Sequence, residues 1–94
     1  MAWFVYMLRC SDGSLYTGYT DDVQKRAAVH NRGKGAKYTR SRLPAEVVYQ
    51  EKLPDKSTAM RREAAIKRLT RQQKIQLIET IEQTIETIDE KGSL

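Results

Sequence analysis

Arg26 and His30 stand four residues apart in a segment whose other inward positions are small and apolar, and that placement is where chemistry first enters this sequence. On a helical wheel turning about 100° per residue, Val23, Arg26, Ala27 and His30 fall within about 100° of one another. Val23 and Ala27 are the residues expected to face a sheet, so Arg26 and His30 are aimed inward with them. An inward arginine is costly unless it meets an anion. It either pairs with a structural carboxylate or meets an anion at a site, and His30 is either a hydrogen-bonded core histidine or a member of that site. A later segment repeats the anomaly with the opposite sign. Ala59, Glu63 and Ile66 form one helical stripe with Met60 and Leu69 at its margins, which puts a carboxylate among core-facing positions. An ion pair with Arg26 is the simplest structural explanation for Glu63. Its functional alternative is a ligand for one Mg2+ or Mn2+, because hard cations favour carboxylate oxygens and accept one protein ligand when water and phosphate supply the rest.

Two tyrosines join this set if a hairpin turns the right way. Trp3 to Cys10 is rich in aromatic and β-branched residues, is apolar on both faces, and reads as a strand covered on both sides. Leu15 to Thr20 reads as the returning strand. A two-residue Asp12-Gly13 turn would leave Tyr6 and Tyr16 on opposite faces. A three-residue loop, Ser11-Asp12-Gly13, with Gly13 in the left-handed position, pairs Leu8 with Tyr16 and Tyr6 with Gly18. Tyr6 and Tyr16 then share a face, and Gly18 leaves space beside the Tyr6 ring. The sequence permits both registers.

The elements that must position these residues follow in order. Asp21 or Asp22 caps a helix running to about Arg32 with Gly33 as its stop. Arg32 to Arg42 is a glycine-containing basic loop, and Ala45 to about Glu51 is a third strand. Ser57 or Thr58 opens a second helix that reaches Leu69. Thr70 and Gln73 fit a capping box for a third, which continues along Ile78, Ile81, Ile85 and Ile88. The fold class is α+β: a three-stranded, mainly antiparallel sheet flanked by three helices in the order β-β-α-β-α-α. With 94 residues the chain has room for one domain. Residues 1–77 are read as that domain and residues 78–94 as an acidic helical extension and tail.

Charge narrows the function classes. The net charge is +5, but residues 79–94 hold five acids and one base, so the remainder carries sixteen bases and seven acids, a net of +9. A body this positive attracts a polyanion. Cys10 is the single cysteine; it forms no internal disulfide and builds no thiolate metal cage. The apolar start is stopped by Arg9, too short to span a bilayer and without a basic leader. The expectation is a cytoplasmic protein with no membrane association. The isoleucine seam from Ile78 to Ile88 covers two heptads, short for a stable coiled coil, so packing on its own domain as a monomer is expected over partner binding. In the basic loop, Arg32, Lys34, Lys37, Arg40 and Arg42 are candidates for phosphate contact, and Tyr38 for stacking on an unpaired base.

Taken together, Phe4-Val5-Tyr6, Tyr16-Thr17-Gly18, Arg26, His30 and Glu63 resemble the GIY-YIG nuclease superfamily, with phenylalanine where the name has its first glycine. The resemblance runs from roughly Trp3 to Leu77 and is nearest to small stand-alone bacterial members. Tyr19 stands where some members have a lysine, and the late asparagine that some carry near the metal is missing or replaced, Asn31 being the single asparagine. The resemblance implies a DNA endonuclease, structure-directed or weakly specific, acting on branched or damaged DNA with one divalent ion. It implies water as nucleophile, Tyr6 as general base and Tyr16 orienting water or phosphate, with the reverse assignment open. Arg26 would stabilise the transferring phosphate, His30 relay the proton or hydrogen-bond a tyrosine, and Glu63 hold the metal. The competing class is a non-catalytic nucleic-acid-binding module of the same fold.

Overall fold

The computed structural model describes residues 2–80. Its sheet has the order β2-β1-β3, with β1 (Trp3–Arg9) central between β2 (Leu15–Thr20) and β3 (Glu46–Leu53), both antiparallel to it. The central position explains why β1 is apolar on both faces. Val5 and Met7 join Tyr49, Ala59, Ile66 and Ile78 in one core cluster, while Tyr6 and Leu8 join Cys10, Val23 and Ala45 in the other.

Helix α1 (Val23–Asn31) contributes Val23 to the Tyr6 side. Asp22 caps it, accepting from the Lys25 amide at 3.0 Å. Helix α3 (Lys56–Lys67) contributes Ala59 and Ile66 to the Val5 side. Its cap is Asp55, earlier than the expected Ser57 or Thr58, because the Asp55 carboxylate accepts from the Thr58 amide at 2.7 Å. Met60, expected at the margin of the buried stripe, is 46% exposed. Residues 71–80 form a further helix, α4, opened by the expected capping box: Thr70 N donates to Gln73 Oε1 at 2.9 Å and Gln73 N to Thr70 Oγ1 at 3.2 Å. Ile81, Ile85 and Ile88 of the isoleucine seam lie outside the described residues.

The basic segment is not a plain loop. Residues Lys37–Arg40 form one helical turn, α2, with Thr39 fully buried. A turn this short carries no periodic signal, so sequence pattern does not reveal it.

The hairpin takes the three-residue form. Leu8 pairs with Tyr16 and Tyr6 with Gly18, the loop closes through Cys10 N to Ser14 O at 2.9 Å, and Gly13 has φ +83°. β2 is an edge strand, and Arg26 of α1 and Glu63 of α3 line one cleft beside its residues. Among the described residues, no helix is long and apolar enough to cross a membrane.

Candidate active site

A cleft of about 390 Å³ opens at this edge, and its lining includes Tyr6, Tyr16, Gly18, Arg26, Lys56 and Glu63. Four of the five residues singled out by type and spacing thus share one surface, drawn from β1, β2, α1 and α3. His30 lies behind it, 0% exposed, with its ring centroid 5.1 Å from that of Tyr16 and 6.1 Å from that of Tyr6.

The hydrogen bonds of His30 fix its tautomer. Thr39 Oγ1 has one proton and donates it to Ala36 O at 2.9 Å, a partner that can only accept. Thr39 Oγ1, 2.8 Å from His30 Nδ1, therefore accepts from Nδ1–H. That leaves His30 Nε2 as an acceptor, and Tyr6 Oη, 3.0 Å away, donates to it. The result is a directed chain, Tyr6 O–H to His30 and His30 N–H to Thr39, entirely buried at its imidazole and opening to the cleft at the phenol.

Burial pushes the Tyr6 phenol up to about 12, with Tyr16 adding to the rise and the Arg26 guanidinium opposing it. Burial also holds His30 below the ordinary imidazole value of 6.5, and the positive charge of Arg26 lowers it further. Both groups are neutral at pH 7. Arg26 is half-buried and has no carboxylate within ion-pair distance among the described residues. The expected structural pair between Arg26 and Glu63 does not form; Glu63 Oε1 instead lies 3.3 Å from Lys67 Nζ, one turn on along α3. The Glu63 side chain is 18% exposed and keeps carboxylate oxygen available to the cleft. No cluster of three or more metal-ligating side chains occurs among the described residues. The donor set therefore fits a hard ion that takes most of its ligands from water and phosphate, and not a cage-bound one.

Two glycines set the tolerances. A Cβ on Gly18 would sit 2.6 Å from Tyr6 Oη and 2.8 Å from its Cζ. A Cβ on Gly35 would overlap His30 Nδ1 and lie 2.6 Å from Cγ. Gly18 was foreseen from the hairpin register; Gly35 and Thr39 were not. Nothing in their local sequence marks them, because their role depends on the segment after α1 folding back over His30.

The phosphate-binding candidates divide. Arg32, Lys34, Lys37 and Arg40 are exposed. Arg42 is already engaged: its Nε meets Asp12 Oδ2 at 3.1 Å, its Nη1 donates to Tyr38 O at 2.7 Å, and its guanidinium lies 4.3 Å over the Tyr38 ring. One face of Tyr38 is thus covered and the ring also sits 6.1 Å from Tyr16, while the residue remains 41% exposed. Asn31 is likewise structural, bonding Ala45 N and Ala45 O at 2.8 Å each.

Comparison with known proteins places the arrangement. The model of the GIY-YIG catalytic domain matches residues 2–76. A UPF0213 protein of Staphylococcus haemolyticus is 58% identical over 76 residues, covering 81% of this chain and 93% of that one. A UPF0213 protein of Staphylococcus aureus is 59% identical over 75 residues, covering 80% and 92%. The solution NMR structure of the UPF0213 protein from Bacillus halodurans matches with a TM-score of 0.56 at 50% identity, covering 85% of each chain. That of a protein from E. faecalis matches with a TM-score of 0.59 at 43% identity, covering 87% of this chain and 88% of that one.

Proposed function

The chain belongs to the GIY-YIG catalytic domain family, and from that premise we propose that it is a DNA endonuclease, structure-directed or weakly specific, that hydrolyses phosphodiester bonds with one divalent ion, Mg2+ or Mn2+. The observation that carries this reading is the buried chain from Tyr6 through His30 to Thr39, opening into a cleft that also holds Arg26 and Glu63.

Hydrolysis requires a deprotonated nucleophile and a stabilised developing charge. Water in the cleft gives a proton to Tyr6 Oη as the phenol passes its own proton to His30 Nε2. The water oxygen forms the new bond to phosphorus and the bond to the leaving oxygen breaks. His30 then carries a proton on both nitrogens, with Nδ1–H still bonded to Thr39 and Nε2–H facing Tyr6. Tyr16 orients the water or the phosphate from its position beside Tyr6, their ring centroids 6.4 Å apart. Arg26 neutralises the charge of the five-coordinate phosphate. Glu63 would hold the divalent ion, which when bound supplies positive charge at the leaving oxygen. Arg32, Lys34, Lys37 and Arg40 contact flanking phosphates.

The test is release of nicked or linear product from plasmid and branched DNA in magnesium or manganese, with Tyr6→Phe and Glu63→Ala as controls. Both variants are expected to lose cleavage. Equal activity in wild type and Glu63→Ala would overturn the assignment, and DNA binding in chelator with no cleavage under either metal would favour the non-catalytic module.

A further inference from the structure

A second cleft, of about 350 Å³, lies along the outer edge of β2. Its lining includes Tyr16, Thr17, Tyr38, Lys67 and Lys74. A smaller adjoining hollow of about 190 Å³ shares Tyr38 and Lys74 and adds Arg71. None of the residues lining either hollow is acidic. Lys74 is half-buried, and neither it nor Arg71 has a carboxylate within ion-pair distance among the described residues. Thr17 is also in the lining, although its Oγ1 is buried, with no hydrogen-bond partner among the described residues. The cleft is also joined to the candidate active site. Tyr16 lines both, and Lys67 reaches from this cleft to Glu63 of the other.

Lys67 and Lys74 in the cleft and Arg71 in the adjoining hollow, together with the rings of Tyr16 and Tyr38, suit a sugar–phosphate backbone better than a small anion, because the cations run from the end of α3 into α4. We propose that this cleft and its adjoining hollow hold the backbone of the nucleic-acid strand leaving the active site over Tyr16, with Arg71 and Lys74 each neutralising a phosphate. The proposal rests on a nucleic-acid substrate for the active site. It adds the C-terminal helices, α3 and α4, to a binding surface that the sequence places wholly in the Arg32–Arg42 segment.

The test uses the full chain and a fluorescein-labelled forked DNA duplex, with anisotropy read in EDTA over a salt series. Each phosphate contact contributes roughly 0.7–0.9 to the slope of log affinity against log salt. Arg71→Ala/Lys74→Ala should therefore flatten the slope by about 1.4–1.8, and Lys74→Glu should weaken binding at fixed salt. Lys52→Ala/Arg61→Ala, which removes the same charge elsewhere, should leave the slope near that of wild type. In magnesium, half-saturation of single-turnover cleavage should rise in Arg71→Ala/Lys74→Ala. An unchanged slope, or an equal loss in the control pair, overturns the proposal and leaves the nuclease reading standing. A wild type that binds but never cuts, with the slope still dependent on Arg71 and Lys74, defeats the nuclease reading and supports the cleft. A wild type without salt-dependent DNA affinity overturns both.

Discussion

Replacing Gly18 by alanine should disable the site while leaving the fold intact. The added Cβ would stand 2.6 Å from Tyr6 Oη, 2.8 Å from Cζ and 3.0 Å from Cε1, against an ordinary contact of 3.4 Å or more. The phenol must therefore retreat by about 0.8 Å, and a rigid ring moves as a whole. Tyr6 is 1% exposed and its hydroxyl is held 3.0 Å from His30 Nε2, so a shift of that size breaks the hydrogen bond or pushes His30 as well. Overpacking of this kind costs about 1–3 kcal/mol, and a lost buried hydrogen bond about 1 kcal/mol more. Misplacing a reacting group by about 1 Å costs roughly 10²-fold in rate. Gly13→Ala is the matched control. It has φ +83° with open space around it, so alanine there is strained by about 1 kcal/mol without touching Tyr6. Urea melts of both variants and single-turnover DNA cleavage in magnesium give the readouts. Gly18→Ala should lose about 2–4 kcal/mol and about 10²-fold in cleavage; Gly13→Ala should lose stability alone. A folded Gly18→Ala chain that cleaves at the wild-type rate, or a Gly13→Ala chain equally impaired in cleavage, would refute the reasoning.

Glu63→Gln should abolish the response of cleavage to added magnesium while changing stability by about 0.5 kcal/mol or less, since its pair with Lys67 is a one-turn helix pair; metal titrations of cleavage and a thermal melt separate the two effects. Thr39→Val strands a buried imidazole N–H, so a loss of about 1–3 kcal/mol is expected, with a change in the His30 nitrogen NMR signals reporting the released tautomer; unchanged signals would remove Thr39 from the chain. The Tyr6 phenol, raised to about 12, stays protonated in the folded protein above pH 10, where the unfolded chain releases its proton. Stability from this group is therefore fully present below about pH 10 and is lost as pH rises from 10 to 12, by about 2–3 kcal/mol. Tyr49, also raised to about 12, does the same, so Tyr6→Phe should remove about half of the alkaline loss in denaturant melts.

The candidate site was legible where local geometry determines placement. Residue spacing on a wheel put Arg26 and His30 on the inner face of α1, and the loop Ser11-Asp12-Gly13 put Tyr6 and Tyr16 on one face with Gly18 beneath the phenol. The capping box at Thr70 and Gln73 was visible for the same reason. What the sequence hid depends on contacts between distant segments. Thr39 meets His30 because the chain after Gly33 turns back over α1. Gly35 needs no positive φ, so its glycine records a close approach to imidazole and not a turn. Lys67, Arg71 and Lys74 read in sequence as solvated helix charges, and gather along β2 because that strand is at the sheet edge. Glu63 was aimed correctly but assigned the wrong partner in its structural alternative, since a lysine one turn along its own helix is nearer than an arginine from another layer.

The resting ionisation of the pair constrains how a tyrosine can serve as base. With Tyr6 raised to about 12 and His30 held below its ordinary imidazole value by burial, the phenolic proton rests on Tyr6 and not on the imidazole. A stored tyrosinate is therefore absent at neutral pH, and proton transfer must accompany attack. In such a relay Tyr6 gains one proton as it loses another, so its own affinity cancels and the net transfer runs from water to His30. The quantity that matters is then the basicity of His30, which burial lowers first and the charge of Arg26 lowers further. On the proposed reading, a phosphate bound at Arg26 would offset that charge and raise the proton affinity of His30 at the moment a nucleophile is needed. Arg26 would then couple substrate binding to base strength, and Thr39, by keeping Nδ1 occupied, would leave the incoming proton one place to go.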